Sequence, residues 1–327
     1  MDTVRNDFLD YLKGVAIILV VVGHSFQYFY LDWEPVYLPI RIFHMPFFMV
    51  LSAYFIQRSC VKSTLSEYCK KKFIRLGYPV LSWGVLSAML HGGGGKIIQH
   101  KEIDFAQSII GIFYANWFLS VLFIFSILAA VIYRYARKCP NFCWGVLILA
   151  FYAIPSIWYI GNCKWLLPFF VIAIQFSYYD WSDVKLSLLT PSVYVFAVCY
   201  IMFVKDHSLV SVKDFECTLP YHLNIIVRTL AGTAGSVLAI CMAKIVYRCG
   251  CNKLCKYIEK LGSMSLPIYV VHTQICDLNQ VIDFRFGSIF IVFFIAVLLI
   301  LISICFYNIC SCCSHLKLFL FGENLTR

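Results

Sequence analysis

Charge is scarce in this chain. Of 327 residues only 13% are Asp, Glu, Lys or Arg, about half of the roughly 25% that a soluble domain carries. A water-exposed globule of this composition would present large apolar patches and aggregate, so an ordinary soluble domain is excluded. A clean pair of Cys-x2-Cys elements is also lacking. Cys249, Cys251, Cys255, Cys310, Cys312 and Cys313 lie in polar segments at irregular spacing and read as reduced, structurally inert thiols, with no metal implied. Other cysteines, such as Cys199, Cys241, Cys276 and Cys305, sit inside apolar runs, where a thiol packs as a small hydrophobe. No small-residue cleavage site closes the first apolar run, which starts at Val15. That run is expected to be retained as a first span and not removed as a signal peptide. An internal repeat of the kind carried by two-halved transporters is missing too, and no second domain is evident.

What remains is apolar: 61% hydrophobic residues, 29 Phe, 21 Tyr and a mean hydropathy of +0.80. A membrane span needs ~20 mostly apolar residues to cross a hydrocarbon core ~30 Å thick. Runs of this kind lie at 14–30, 42–57, 76–90, 117–133, 142–160, 165–179, 187–204, 225–247, 263–282 and 288–308. The partly apolar stretch 105–116 reads as interfacial or re-entrant, which is tolerated only where protein covers it. The expected fold is all-α, a polytopic transmembrane helical bundle of about ten spans. Its organisation is a single integral-membrane domain over 1–310 and a short cytoplasmic tail over 311–327.

The 27 basic and 17 acidic residues give a formal net charge of +10. With the N-terminus placed in the cytoplasm, 19 of the basic residues fall in inside segments and 8 elsewhere, as the positive-inside rule requires. An even number of spans then returns the C-terminus to the cytoplasm. Charge distributed in this way orients helices and leaves no continuous basic face for nucleic acid.

Ionisable residues inside spans are costly and mark functional sites by default. His24 closes the first run, about 16 Å along a helix from Lys13. If Lys13 marks the inner interface, His24 lies at or beyond the midplane, and Gly23 beside it admits a close neighbour. A neutral imidazole there can take a proton from a hydroxyl and return it; the alternative is a histidine satisfied between helices. His44 lies near the outer end of the second run, with Pro46 close to the expected helix start. It could bond a sugar hydroxyl, orient a base or fill a gap. His272 stands about 15 Å along a helix from Gly262, and Tyr269, three residues earlier, shares its face. His24 and His272 come from distant runs at comparable depth and could line one cavity. His222 and Arg228 bracket the outer end of the eighth run, where Arg228 either snorkels or holds an anionic acceptor. Lys72 and Arg75, three apart in a basic segment, share a helix face. They could bind phosphates through charge-assisted bonds or serve topology and lipid headgroups. Trp117, in Asn116-Trp117-Phe118-Leu119, is an interfacial anchor or a stacking platform for sugar.

Taken together these elements resemble the bacterial membrane acyltransferase-3 family, in the branch related to fucose 4-O-acetylase and other carbohydrate O-acetyltransferases. The resemblance covers residues 7–310. Its most specific part is Asp10-Tyr11-Leu12-Lys13-Gly14 through Gly23-His24, which is similar to the first-span signature ending in the family's essential histidine. Phe43-His44-Met45-Pro46-Phe47-Phe48 with Leu51-Ser52 resembles the second-span motif, with Ala53 where the family usually has glycine. Trp117-Phe118-Leu119 and the element from Leu261 to His272 also match. Lys72 and Arg75 stand where the family carries two arginines, so one rigid bidentate fork is replaced by a point charge. The resemblance implies an O-acetyltransferase of the bacterial cytoplasmic (inner) membrane. Such an enzyme takes acetyl groups from cytoplasmic acetyl-CoA as co-substrate, without a bound cofactor, and places them on hydroxyls of surface or lipid-linked glycans. It implies His24 as base or acyl relay, Lys72 and Arg75 as donor-phosphate contacts, and His44, His272, Tyr269, Trp117 and Arg228 as pocket or supporting residues. A membrane core acting without the esterase-like domain of longer relatives is expected. Rival readings are a transporter or flippase of a lipid-linked sugar, a non-catalytic scaffold, and an acyltransferase using another group such as succinyl.

Overall fold

In lipid no water is present to satisfy the backbone, so an apolar segment must close its hydrogen bonds within itself. The computed structural model describes residues 6–31, 34–89, 116–154, 159–177, 179–185, 187, 189–204, 221–250 and 252–323. Among these residues every long element is a helix, and the β contact is an isolated bridge between Tyr30 and Phe286. In chain order the helices are α1 (Asp7–Phe29), α2 (Glu34–Ala53), α3 (Ile56–Lys62), α4 (Leu65–Lys72), a π-helical turn (Phe73–Gly77) and α5 (Tyr78–Ser87). After residues 90–115 follow α6 (Trp117–Tyr135), α7 (Pro140–Ala153), α8 (Tyr159–Gln175) and α9 (Leu189–Val204). The series ends with α10 (Tyr221–Arg248), α11 (Asn252–Ser263), α12 (Ser265–Ile282), α13 (Ile289–Ser311) and α14 (Ser314–Phe321).

Five helical stretches are long and apolar enough to cross a membrane: Asp7–Phe29, Val36–Lys62, Trp117–Tyr135, Leu223–Arg248 and Ile289–Ser311. Three shorter apolar helices, Pro140–Ala153, Ile160–Gln175 and Thr190–Tyr200, fall on expected runs but lack that length. The expected interfacial stretch 105–116 lies outside the described residues except for Asn116. The lipid-facing character is plainest in α13. It buries Val292, Ala296, Leu299, Ser303 and Cys310, one stripe at helical spacing, while Phe290 is 86% exposed and Phe294, Val297 and Leu301 also face outward. Such a surface is stable against acyl chains and not against water.

Helix α1 is the central strut. Asn6 caps it by accepting from the Leu9 N–H at 3.2 Å, and Asp7 and Asp10 occupy the first turn, where the positive end of the helix dipole favours acidic groups. Its N-terminal half is pressed against α11 at two glycines. A Cβ on Gly14 would lie 2.0 Å from the Ile258 carbonyl oxygen, and one on Gly262 would lie 1.8 Å from the Asp10 oxygen. Only hydrogen fits at either position. At the other end, Asn279 Nδ2 donates to the Tyr28 carbonyl at 2.9 Å, and the Phe286 N–H donates to the Phe29 oxygen at 2.8 Å. The strut is thus fastened to the α11–α12–α13 unit above and below.

Helix α2 begins nearly three turns before His44, so Pro46 sits inside the helix and not near its start. Proline there removes one backbone bond and bends the rod; its ring lies against the Gly232 position of α10. The Ala53 methyl, at the position of the family's usual glycine, is fully buried. Residues assigned from sequence to a tail form α14, which packs on α5 and the π-helical turn. Trp83 Nε1 donates to the Leu320 carbonyl at 2.8 Å, and Gly322, at φ +63°, approaches the backbone of Ile74 and Arg75.

Gly262→Ala should weaken the α1–α11 contact by about 1–3 kcal/mol, the usual cost of overpacking, and lower the melting temperature of the purified protein in nanodiscs. Gly145→Ala, where a Cβ meets nothing within 4 Å, should leave it unchanged or raise it slightly. Equal melting of the two variants would contradict the assigned contact.

Candidate active site

The two fastenings of α1 set the register of its polar residue against α12. His24 Nδ1 lies 3.0 Å from His272 Nε2, with the rings stacked at 5.2 Å between centroids. His272 Nδ1 in turn lies 2.7 Å from the carbonyl oxygen of Ile268, one turn back on its own helix. His44, from α2, presents its ring perpendicular to that of His24 at 6.1 Å, and its Nδ1 is 3.0 Å from the Ile40 carbonyl. Three imidazoles from three helices therefore meet inside the bundle. His272 and His44 are buried, at 0% and 1% exposure, and His24 is half-buried.

The hydrogen bonds dictate tautomers. A backbone carbonyl only accepts, so His272 carries its proton on Nδ1 and, as a neutral ring, has a lone pair on Nε2. His24 Nδ1 must then donate to that lone pair, which leaves the free lone pair of His24 on Nε2. The same reasoning puts the His44 proton on Nδ1 and a lone pair on its Nε2, an atom that is buried with no partner among the described residues. The arrangement can accept a proton at His24 Nε2. The resulting imidazolium would be stabilised through Nδ1–H by His272, which is itself oriented by the Ile268 carbonyl. Orientation of an imidazole base by a fixed acceptor is the logic of the hydrolase triad, here with a neutral acceptor. Among the described residues no three His, Cys, Asp or Glu side chains are grouped to hold a metal ion.

Tyr269 lies against His272, ring centroids 5.9 Å apart, and belongs to an aromatic layer with Phe48 and Phe118 one turn further in. Trp117 stacks on Trp165 of α8 at 6.0 Å, and the Arg228 guanidinium stands 5.6 Å from the Trp165 ring centroid. Trp117 and Arg228 thus share one aromatic cluster, joined to the histidines through Phe118 and Tyr269. His222 has no described side chain.

Lys72 and Arg75 lie away from this centre, at the α4–π-turn junction. Lys72 Nζ stands 5.4 Å from the Tyr68 ring centroid. Lys72 is half-buried and Arg75 exposed. Desolvation, reinforced by the nearby Arg75 charge, pulls the Lys72 pKa down to about 8.

Several neighbours of the site escape a reading of the sequence. Tyr28 lies 6.0 Å from His24, Tyr37 lies 5.9 Å from His44, and Arg41 stands over the Tyr37 ring at 5.7 Å. The spacing Tyr37, Arg41, His44 marks one helix face and could have found two of them. Asn116 and Gln274 are buried side chains with both polar atoms unpartnered among the described residues, a state that costs about 1–3 kcal/mol per group. No pattern flags either one in advance.

A neutral imidazole with its tautomer fixed among membrane helices can take a proton from a hydroxyl and return it. The acyltransferase domain family matches residues 6–308, and the chain belongs to that family; it is an acyltransferase. It is similar to the nodulation protein NolL of Sinorhizobium fredii, 23% identical over 307 residues that cover 86% of this chain and 80% of the relative. It is equally similar to the nodulation protein NolL of Mesorhizobium japonicum, 23% identical over 306 residues, 86% of this chain and 79% of that one. No solved structure matches it.

His272→Ala removes the acceptor that fixes the His24 tautomer. With His24 as base, kcat should fall by roughly 10- to 100-fold at unchanged donor KM, less than the roughly 10²- to 10⁴-fold carried by a general base itself, because the base remains and only its orientation is lost. His272→Gln, which offers an amide oxygen in place of Nε2, should recover part of the loss. Steady-state kinetics on both variants in nanodiscs checks this; full activity in His272→Ala would remove the orienting role.

Proposed function

We propose that the chain is a membrane O-acetyltransferase moving an acetyl group from cytoplasmic acetyl-CoA to a hydroxyl of a surface or lipid-linked glycan. The observation that carries this reading is the His24–His272 pair, which leaves one imidazole lone pair available inside a helical bundle. His24 Nε2 takes the proton of the acceptor hydroxyl as its oxygen attacks the thioester carbonyl, and returns it to the departing CoA thiolate. Holding the reacting groups in line lowers the barrier by supplying orientation in advance. The CoA phosphates meet Lys72 and Arg75 at the inner mouth, and the acceptor approaches from the opposite side. The Trp117–Trp165 stack offers an apolar face for a sugar ring, and Arg228 beside it offers a cation for an acidic substituent. About ten spans, with both termini in the cytoplasm of a bacterial cell and the bundle in its inner membrane, would place the basic mouth where acetyl-CoA is made. The charge asymmetry along the sequence supports that orientation.

Mass spectrometry of surface glycans from cells with and without the gene should show acetylated species only where the gene is present. Cells carrying His24→Ala, inserted at normal levels, should resemble the deletion. Normal acetylation by that variant would exclude His24 as the base. Labelled acetyl from acetyl-CoA that never reaches a glycan would favour a flippase.

The lowered Lys72 pKa gives donor binding a pH signature. Below about 8 the ammonium is charged and binds phosphate; above that value it is neutral. The KM for acetyl-CoA should therefore rise as pH passes upward through about 8. In Lys72→Arg the side chain stays charged and this rise should vanish. An unchanged profile in Lys72→Arg would remove Lys72 from the donor site.

A further inference from the structure

Asn116 is in an uncommon state for its residue type. An asparagine at a helix N-cap normally accepts from a first-turn N–H with its side chain. Asn116 is the N-cap of α6, yet its side chain makes no capping bond. The residue is 0% exposed, and neither Oδ1 nor Nδ2 has a hydrogen-bond partner among the described residues. Its backbone carbonyl is engaged, accepting from the Ser120 N–H at 3.1 Å and from the Ser120 hydroxyl at 3.3 Å. A buried amide left unpaired in a native structure asks for an explanation, and a catalytic role is one.

Its depth in the bundle follows from neighbouring contacts. Arg134 Nη2 donates to the Ser63 carbonyl at 2.8 Å. The C-terminal end of α6 therefore meets the chain that leaves α2, and the two helices run the same way. They touch where Phe48 and Phe118 stack at 5.0 Å, and Tyr269 of α12 completes this layer at 6.0 and 5.6 Å. From the layer, His44 is four residues toward the start of α2 and Asn116 is two residues toward the start of α6, about 6 and 3 Å outward. His272 is three residues beyond Tyr269, about 4.5 Å in the same direction, since the far end of α12 is bonded to the end of α1 through Asn279. The unpaired amide thus stands at the level of the imidazoles, on a helix that supplies none of them. It also stands at the N-terminus of a 19-residue helix, where the backbone dipole favours negative charge.

We propose that Asn116 supplies the oxyanion contact of the acyl-transfer step. This rests on the acetyltransferase reading given above. As the acceptor oxygen bonds to the thioester carbon, its proton passes to His24 Nε2. The carbonyl π pair moves onto oxygen, and Nδ2–H of Asn116 donates to that oxyanion. When the tetrahedral intermediate collapses, the pair re-forms the carbonyl, the carbon–sulfur bond breaks, and the thiolate takes the proton from His24. An amide donor suits the position because it is neutral in both states and already dry. It needs no rearrangement when charge develops, which is the condition under which such donors are most effective.

The test uses the full chain in nanodiscs with acetyl-CoA alone, water serving as acceptor and CoA thiol release as the readout. An oxyanion donor is needed whichever nucleophile attacks; a contact to a sugar hydroxyl is not. Asn116→Ala and the isosteric Asn116→Asp should each lower kcat for thiol release by roughly 10²- to 10³-fold, with the KM for acetyl-CoA unchanged. The Asp variant keeps the volume of the side chain, so a melting curve like that of the wild type assigns its loss to chemistry. Wild-type rates in a folded variant, or a raised KM at unchanged kcat, would overturn the proposal for Asn116 while the acetyltransferase reading stands. A wild-type chain that releases no CoA and labels no glycan would overturn that reading, and this one with it.

Discussion

One hydrogen bond organises the centre of the molecule, the contact at 3.0 Å between His24 and His272, side chains 248 positions apart in sequence. In a low-dielectric interior such a bond is stronger than in water, and leaving either ring unpaired would be correspondingly costly. It holds only if α1 and α12 keep their register. The glycine contacts with α11 fix that register at one end, and the Asn279 and Phe286 bonds to the end of α1 fix it at the other. Each fastening has a backbone atom on at least one side, so the register is set largely by main-chain geometry.

A histidine as the partner of His24 has an electrostatic logic. A carboxylate in this place would orient an imidazole equally well and would hold the imidazolium more tightly. It would also carry a full charge into a site where an isolated ion is very expensive. A neutral ring anchored to a carbonyl avoids that charge in the resting state and still offers an acceptor when His24 becomes protonated. Among the described residues, Arg41 lies one turn before His44 on α2, over the Tyr37 ring, and Lys72 and Arg75 lie away from the cluster on α4 and the π-helical turn.

Much of this was legible in the sequence, and the reasons are physical. Helices, apolar runs and intramembrane histidines follow from composition and from the 1.5 Å rise per residue, and comparable depth for His24 and His272 followed from counting along their helices. Which nitrogen faced which was not accessible, because rotamer and tautomer depend on the packing of helices far apart in the chain. Asn116 was invisible for the same reason. An asparagine before an apolar run announces a helix cap, and only tertiary structure reveals that its amide is not used as one. The run 311–327 reads as a tail because fifteen or so residues cannot bury a core alone, but α14 has no need of its own core when Trp83 and the π-helical turn provide one.

That last contact has a consequence for biogenesis. The segment 72–83 is braced by Leu320 and Gly322, which leave the ribosome some 240 codons later. Until then the early segment must wait in the bilayer with its bracing surface unfilled. A chain interrupted after α13 would already hold both paired imidazoles and would lack the buttress that α14 gives to α5 and the π-helical turn, so the histidine pair is complete before that packing is.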